Sequence, residues 1–178
     1  MKNANEKEGT QIFTSDDQKT LQEAIITTQP GWDAEKGTVS QPNLNDQSSL
    51  VARAVALADI GTAGMDGAKK FLSEGDPLFR EENLDILDGL QKGEKLTQEQ
   101  KEYFRSRIFA WTKSELAFAI GRRALLDEEL SPMPRKAQDA VRLLFSKFDD
   151  SIFALGELID KRKGMSFGQI AQSIGYVL

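Results

Sequence analysis

At 178 residues, with 23 basic and 28 acidic side chains and a formal net charge of −5, the chain has the length of one domain with its own core and an acidic balance that argues against a nucleic-acid partner. Its 39% hydrophobic and 29% charged content is that of a soluble globular protein, and no apolar run is long enough to cross a bilayer. It holds neither cysteine nor histidine, which excludes disulfides, thiolate zinc sites and thiol nucleophiles, removes the commonest general base, and leaves open only oxygen-ligand metals such as Mg²⁺, Mn²⁺ or Ca²⁺.

Residues 1–13 are polar and read as a flexible tail without the apolar segment of a signal peptide, so a cytoplasmic location is expected. Ser15 to Gln18 reads as a cap with a reciprocal glutamine. It opens a short helix with the stripe Leu21, Ala24, Ile25 and Thr28 that stops before Pro30. From Gln29 to Asp46 no periodicity is visible, and an irregular strap anchored by Trp32, Val39 and Leu44 is expected. Leu50 to Gly67 is the most apolar stretch. It predicts a helix buried on nearly every side apart from Arg53, ending at Asp59 and the breaker Gly61-Thr62-Ala63-Gly64. A carboxylate at that point enters an apolar element at the negative end of a helix dipole, so it needs a cation, a hydroxyl, a turn of N–H groups or a metal to compensate it.

Asp66 is placed to cap a short helix over residues 68–73. Asp76-Pro77 reads as the start of the next, a cap followed by the residue favoured at the first helical position, with Leu78, Phe79, Leu84, Ile86, Leu87 and Leu90 carrying it towards Gly93. Thr97 to Gln100 is a second capping box. It opens the longest periodic run in the chain, reaching Leu130, with Phe104, Ile108, Trp111, Phe118 and Leu125 on its apolar face and Gly121 marking a close helix crossing. Pro132 and Pro134 bracket a turn. One last long helix is expected from the spacing of Val141, Leu144, Phe145, Phe148, Ile152, Leu155, Leu158 and Ile159; Gly164 ends it, and Ser166 caps a short final helix over 167–177. The two long helices are expected to pair antiparallel with Trp111 and Phe148 in one core. No alternating strand is visible. The expected fold class is all-α: a helical bundle with a long helical hairpin and a long irregular loop near the N-terminus, residues 14–178 forming a single domain.

Glu115 falls on one stripe with Trp111, Phe118 and Arg122, which sets a carboxylate inside an apolar face. It is either a tuned acid or a partner of Arg122 that fixes helix register. Arg122, with Arg105, Arg107 and Arg123, offers a phosphate site or a solvated face. Thr62 and Gly64, in the Gly61–Gly64 turn, offer backbone N–H groups to a phosphate or form a tight turn. Arg122, Glu115, Thr62 and Gly64 are therefore the candidate ligand-binding residues, and Asp59 the candidate metal residue.

The apolar helix ending in Ala58-Asp59, preceded by Ala24-Ile25-Ile26-Thr27-Thr28, resembles the last part of the HD-domain metal-dependent phosphohydrolases, over roughly residues 20–67. The resemblance implies a bundle of helices and makes Asp59 the last metal ligand, with a divalent Mg or Mn ion as cofactor. The family's other ligands are a lone histidine and a His-Asp pair, and this chain has no histidine, so Asp59 alone carries over. The expected function is that of a non-catalytic HD-related domain acting by binding or assembly, through a protein partner or self-association, without a cofactor, nucleic acid or membrane. The alternatives are a metal-dependent phosphohydrolase, completed by another chain, and a small-ligand or nucleotide sensor using the Arg-rich helix.

Overall fold

The computed structural model describes residues 13–91 and 96–177. Most of the expected tail, and Gly93 with its neighbours, lie outside the described residues. The elements in chain order are α1 (Ser15–Thr27), β1 (Gly31–Asp33), β2 (Thr38–Ser40), α2 (Leu50–Asp59), α3 (Thr62–Met65), α4 (Ala68–Glu82), α5 (Leu84–Gln91), α6 (Gln98–Leu130), α7 (Arg135–Leu144), α8 (Phe148–Lys163) and α9 (Phe167–Ser173). The fold is all-α but for one small hairpin, and no helix among the described residues is long and apolar enough to cross a membrane.

Helix starts follow the local chemistry. Thr97 with Gln100, and Ser166 with Gln169, form reciprocal capping boxes at α6 and α9. The box at α1 uses Thr14 and Asp17, one residue ahead of the expected Ser15. The 33-residue α6 is the spine, and α8 runs antiparallel along it. Arg105 reaches the carbonyls of Lys163 and Met165 at one end, Thr112 meets Arg162 in the middle, and Arg123 meets Asp149 at the other end.

Two apolar clusters lie along this pair. The C-terminal half of α6 joins Leu57, Ala63, Met133, Phe145, Phe148 and Leu155. The N-terminal half, through Phe104 and Ile108, joins Phe79, Ile86, Ile170, Ala171, Ile174 and Tyr176. Trp111 packs on the second cluster and Phe148 belongs to the first, so the single core expected for them divides in two.

Further expectations change. The loop at 29–46 contains the antiparallel pair Gly31–Asp33 and Thr38–Ser40, in register Trp32↔Val39. Asp33 accepts the N–H groups of Glu35 and Lys36, and Gly37 takes φ 63°, which closes the turn. Its anchors are Thr38 and Gln41, whereas Trp32 stands exposed. Gly121 marks a crossing of this hairpin, because a Cβ there would overlap Thr38; no helix crosses at that point.

Helix α2 buries one face only. Ala52, Arg53, Ala56 and Leu57 turn inward while Leu50, Val51 and Val55 face solvent. Helix α4 starts at Ala68 and continues through Pro77. A proline interrupts one hydrogen bond there, and packing on both sides offsets the loss, with Phe71 and Leu72 on the first cluster and Phe79 in the second. The chain breaks instead at Asn83, whose amide donates to the Phe79 carbonyl. The expected last helix is two helices, α7 and α8, parted at residues 145–147. Phe145 and Phe148 seat their rings against Gly61 and Gly64, and the Lys147 N–H donates to the Gly64 carbonyl. Leu144 is exposed as a result.

Ile108→Ala and Leu130→Ala each delete a fully buried side chain and should each cost about 2–5 kcal/mol. Because they sit in separate clusters, urea unfolding of the double variant should return the sum to within about 0.5 kcal/mol. A coupling well above that would show one continuous core.

Candidate functional site

Between the two clusters lies a polar layer. Arg162, 2% exposed, crosses from α8 to donate to Thr112 Oγ1 at 2.7 Å, to Asp76 Oδ2 at 3.3 Å and to the Ser173 carbonyl at 3.3 Å. Thr112 in turn donates to the Ile108 carbonyl. Glu115, 3% exposed, stands one turn along α6, and neither of its carboxyl oxygens has a hydrogen-bond partner among the described residues. One cation therefore faces two carboxyl groups. Burial, followed by the neighbouring Asp76 charge, pushes the Glu115 carboxyl up to about 8, against a smaller pull from Arg162. The Trp111 indole N–H adds a slight downward pull but is not at hydrogen-bonding geometry. Burial also raises Asp76, with Arg162 pulling it back. At neutral pH Glu115 holds its proton and is a donor as well as an acceptor.

Glu115 lines a cleft of about 450 Å³ walled by the hairpin, the end of α2, α4 and α6. Gly75 lets α4 pass directly over the carboxyl, since a Cβ there would meet Glu115 Oε1 at 2.6 Å. Phe71 and Phe118 stack across the wall with ring centroids 5.6 Å apart. Thr38 and Trp111 also line the cleft, and Thr38 Oγ1 and Trp111 Nε1 are buried without a partner among the described residues. Buried polar groups are ordinarily satisfied within the fold. Three residues that carry such unsatisfied groups line one largely apolar cleft, which makes it the candidate site.

The sequence candidates divide around this cleft. Glu115 and Thr62 line it; Arg122 and Gly64 do not. Arg122 is paired with Glu129 through both guanidinium nitrogens, at 2.9 and 2.5 Å, and donates to the Val39 carbonyl, so the expected Glu115–Arg122 contact is replaced. The neighbouring cations are also committed: Arg105 to carbonyls and Glu102, Arg107 to Asp85 and Asn83, and Arg123 to Asp149. Gly64 is a seat for the Phe148 and Phe145 rings, and its N–H donates to the Gly61 carbonyl; it faces no anion site. Asp59 is exposed at the cleft rim, so no buried carboxylate there calls for compensation. Among the described residues no three Asp, Glu, His or Cys side chains gather into a metal-binding group, and Asp59 alone does not fit an HD-type centre.

Asp76, Gly75, Thr38 and Arg162 were missed. Two carried a signal: Asp76 lies four residues after Leu72 and three before Phe79, and Arg162 lies seven after Leu155, so both fall on buried stripes. Comparison with family models, with curated proteins and with solved structures found no match.

The raised Glu115 pKa makes a stability prediction. Its folded value, about 8, exceeds the ordinary 4.5, so the folded state holds a proton that the unfolded state releases. That contribution is complete below about pH 4.5 and is lost as pH rises through about 8. Glu115→Gln should therefore gain stability over the wild type between about pH 5 and pH 9, by something on the order of 4 kcal/mol. Parallel unfolding curves across that range would show that Glu115 is not protonated in the folded protein.

Proposed function

We propose that this chain is a non-catalytic helical binding domain whose cleft between the hairpin, α4 and α6 takes a small, largely apolar molecule. The carrying observation is that Glu115, Trp111 and Thr38, each bearing a buried and unpartnered polar atom, line one largely apolar space of about 450 Å³. Small-molecule sites run from roughly 300 to 1,000 Å³ and combine apolar walls with a few converging polar groups. Each unmade hydrogen bond costs the fold about 1–3 kcal/mol, which a ligand's own polar group relieves. The chain has no histidine, and the neighbouring carboxylates are held elsewhere, Asp76 by Arg162 and Glu74 by Lys70, so the Glu115 carboxyl supplies a contact and not one half of an acid–base pair. The support for a small-ligand sensor thus passes from the Arg-rich helix to the cleft.

Both tryptophans of the chain, Trp32 and Trp111, line the cleft, so intrinsic emission reports its occupancy. Phenylbutanol, neutral and transparent under tryptophan-selective excitation, should give a saturable change with a dissociation constant of about 1 mM or tighter. Ala117→Phe, at an exposed position of the cleft wall, should abolish that change without lowering the melting temperature. A wild type whose emission never saturates, or a filled variant that binds equally well, counts against the cleft.

A further inference from the structure

Charge along the cleft is one-sided. Its lining includes Asp59, Glu74 and Glu115 and, among the described residues, no lysine or arginine. Glu74 is paired along α4 with Lys70 at 2.9 Å. The nearby cation Arg162 is not among the lining residues and is turned to Thr112, Asp76 and the Ser173 carbonyl. A carboxylate, phosphate or nucleotide in this space would meet acidic groups and no counter-charge. A neutral molecule would leave Glu115 as it is. A cation would meet the buried Glu115 carboxyl, whose oxygens have no hydrogen-bond partner among the described residues, in a space also lined by Trp32, Phe71, Trp111 and Phe118, side chains that can attract positive charge.

Taking the cleft as a small-molecule site, we propose that its ligand is an organic amine: an apolar body carrying one basic nitrogen, its ammonium seated on Glu115 and its hydrocarbon against the aromatic walls.

The protons balance simply. The free site holds Glu115 as the acid, and the amine arrives as ammonium. Binding breaks only the Glu115 O–H bond, and that proton leaves to water, so one ammonium enters and one proton departs. The groups that face Glu115 are Asp76 and Glu74 from α4, Arg162 from α8, Trp111 from its own helix, and Asp59 at the rim. Asp76 and Arg162 form one pair, so Glu115 is the group left to exchange a proton for the incoming cation.

The test uses the full chain and three molecules of one shape: phenylbutylamine, phenylbutanol and phenylbutyrate. At pH 7 the amine should bind at least about tenfold tighter than the alcohol, with the carboxylate weakest, as a charge-assisted contact requires. Between about pH 6 and pH 7 amine affinity should rise about tenfold while alcohol affinity stays flat, the signature of one proton released. Glu115→Gln should bring the amine down to the alcohol's affinity and leave the alcohol within about threefold of its wild-type value. Because the pH profile is measured on the wild type, a Gln variant that fails to fold leaves that comparison decisive. If the alcohol binds and the amine is no tighter, or the carboxylate is tightest, the amine assignment is overturned while the cleft stands. A pH-independent preference for the amine, or one that survives Glu115→Gln, also overturns it. If no member binds, the cleft itself is not a ligand site.

Discussion

A single guanidinium, that of Arg162, joins α8 to α6 through Thr112, to α4 through Asp76, and to the end of α9 through the Ser173 carbonyl. Withdrawing such a cation from water costs several kcal/mol, and the cost is offset only where an opposite charge and further hydrogen bonds are waiting. Asp76 supplies the charge, and α4 must therefore run unbroken across Pro77 to present it. The same layer divides the apolar interior in two, because a buried ion pair with its hydrogen bonds leaves no room there for continuous hydrocarbon contact. Glu115 enters this layer as a second carboxyl with no second cation. Its raised pKa follows from that imbalance, so the chemistry of the cleft is set by a pairing made behind it.

Two other buried arginines fix the cleft's outer wall. Arg53 donates to the Glu129 carbonyl at 2.6 Å and to the Asn45 carbonyl at 2.5 Å, tying α2 and the segment before it to the end of α6. Arg122 holds Glu129 and also reaches the Val39 carbonyl of β2. A forked, permanently charged donor can serve two acceptors on different elements at once, which the point charge of a lysine does less well. The hairpin needs this support, since two strands of three residues are not stable alone. It rests on α6 where Gly121 gives it room, and Lys36 adds an exposed ion pair to Glu128 that contributes little by itself.

What the sequence carried, and what it did not, follows from the range of the interactions involved. The capping boxes at Thr97 and Ser166 and the extent of α6 depend on residues three or four apart, and they were readable. The hairpin was not, because three-residue strands are too short to display alternation; Asp33 and Gly37 were its only marks. The break at 145–147 is silent because Phe145, Phe148 and Ile152 keep helical spacing straight across it. Asp76-Pro77 looks like a helix start to any local rule, and only Arg162, eighty-six residues away, makes it a helix interior. Glu115 was rightly placed inside an apolar face but assigned the wrong arginine, since Arg122 was the nearer in sequence and Arg162 the nearer in space. The burial expected at Asp59 fails because α2 turns only one face inward and leaves Leu50, Val51 and Val55 in solvent, so its apolar composition does not mean burial on every side.

The layer and the cleft act as one electrostatic unit. Arg162 and Asp76 are paired with each other, and for Glu115 the uncharged acid is the state that low-dielectric surroundings favour. Ionising Glu115 by itself would leave one uncompensated negative charge in a space lined by four aromatic rings, where its interactions are far less screened than in water. Anything that enters with a positive charge removes that objection and makes the ionised form the favoured one. Gly75 is what lets α4 close over the carboxyl: a larger residue there would collide with Glu115 Oε1 and push the helix or the group aside. A helix-interior glycine is costly in stability, and here it allows one backbone to pass close enough to cover an unpartnered acid in the wall of the cleft.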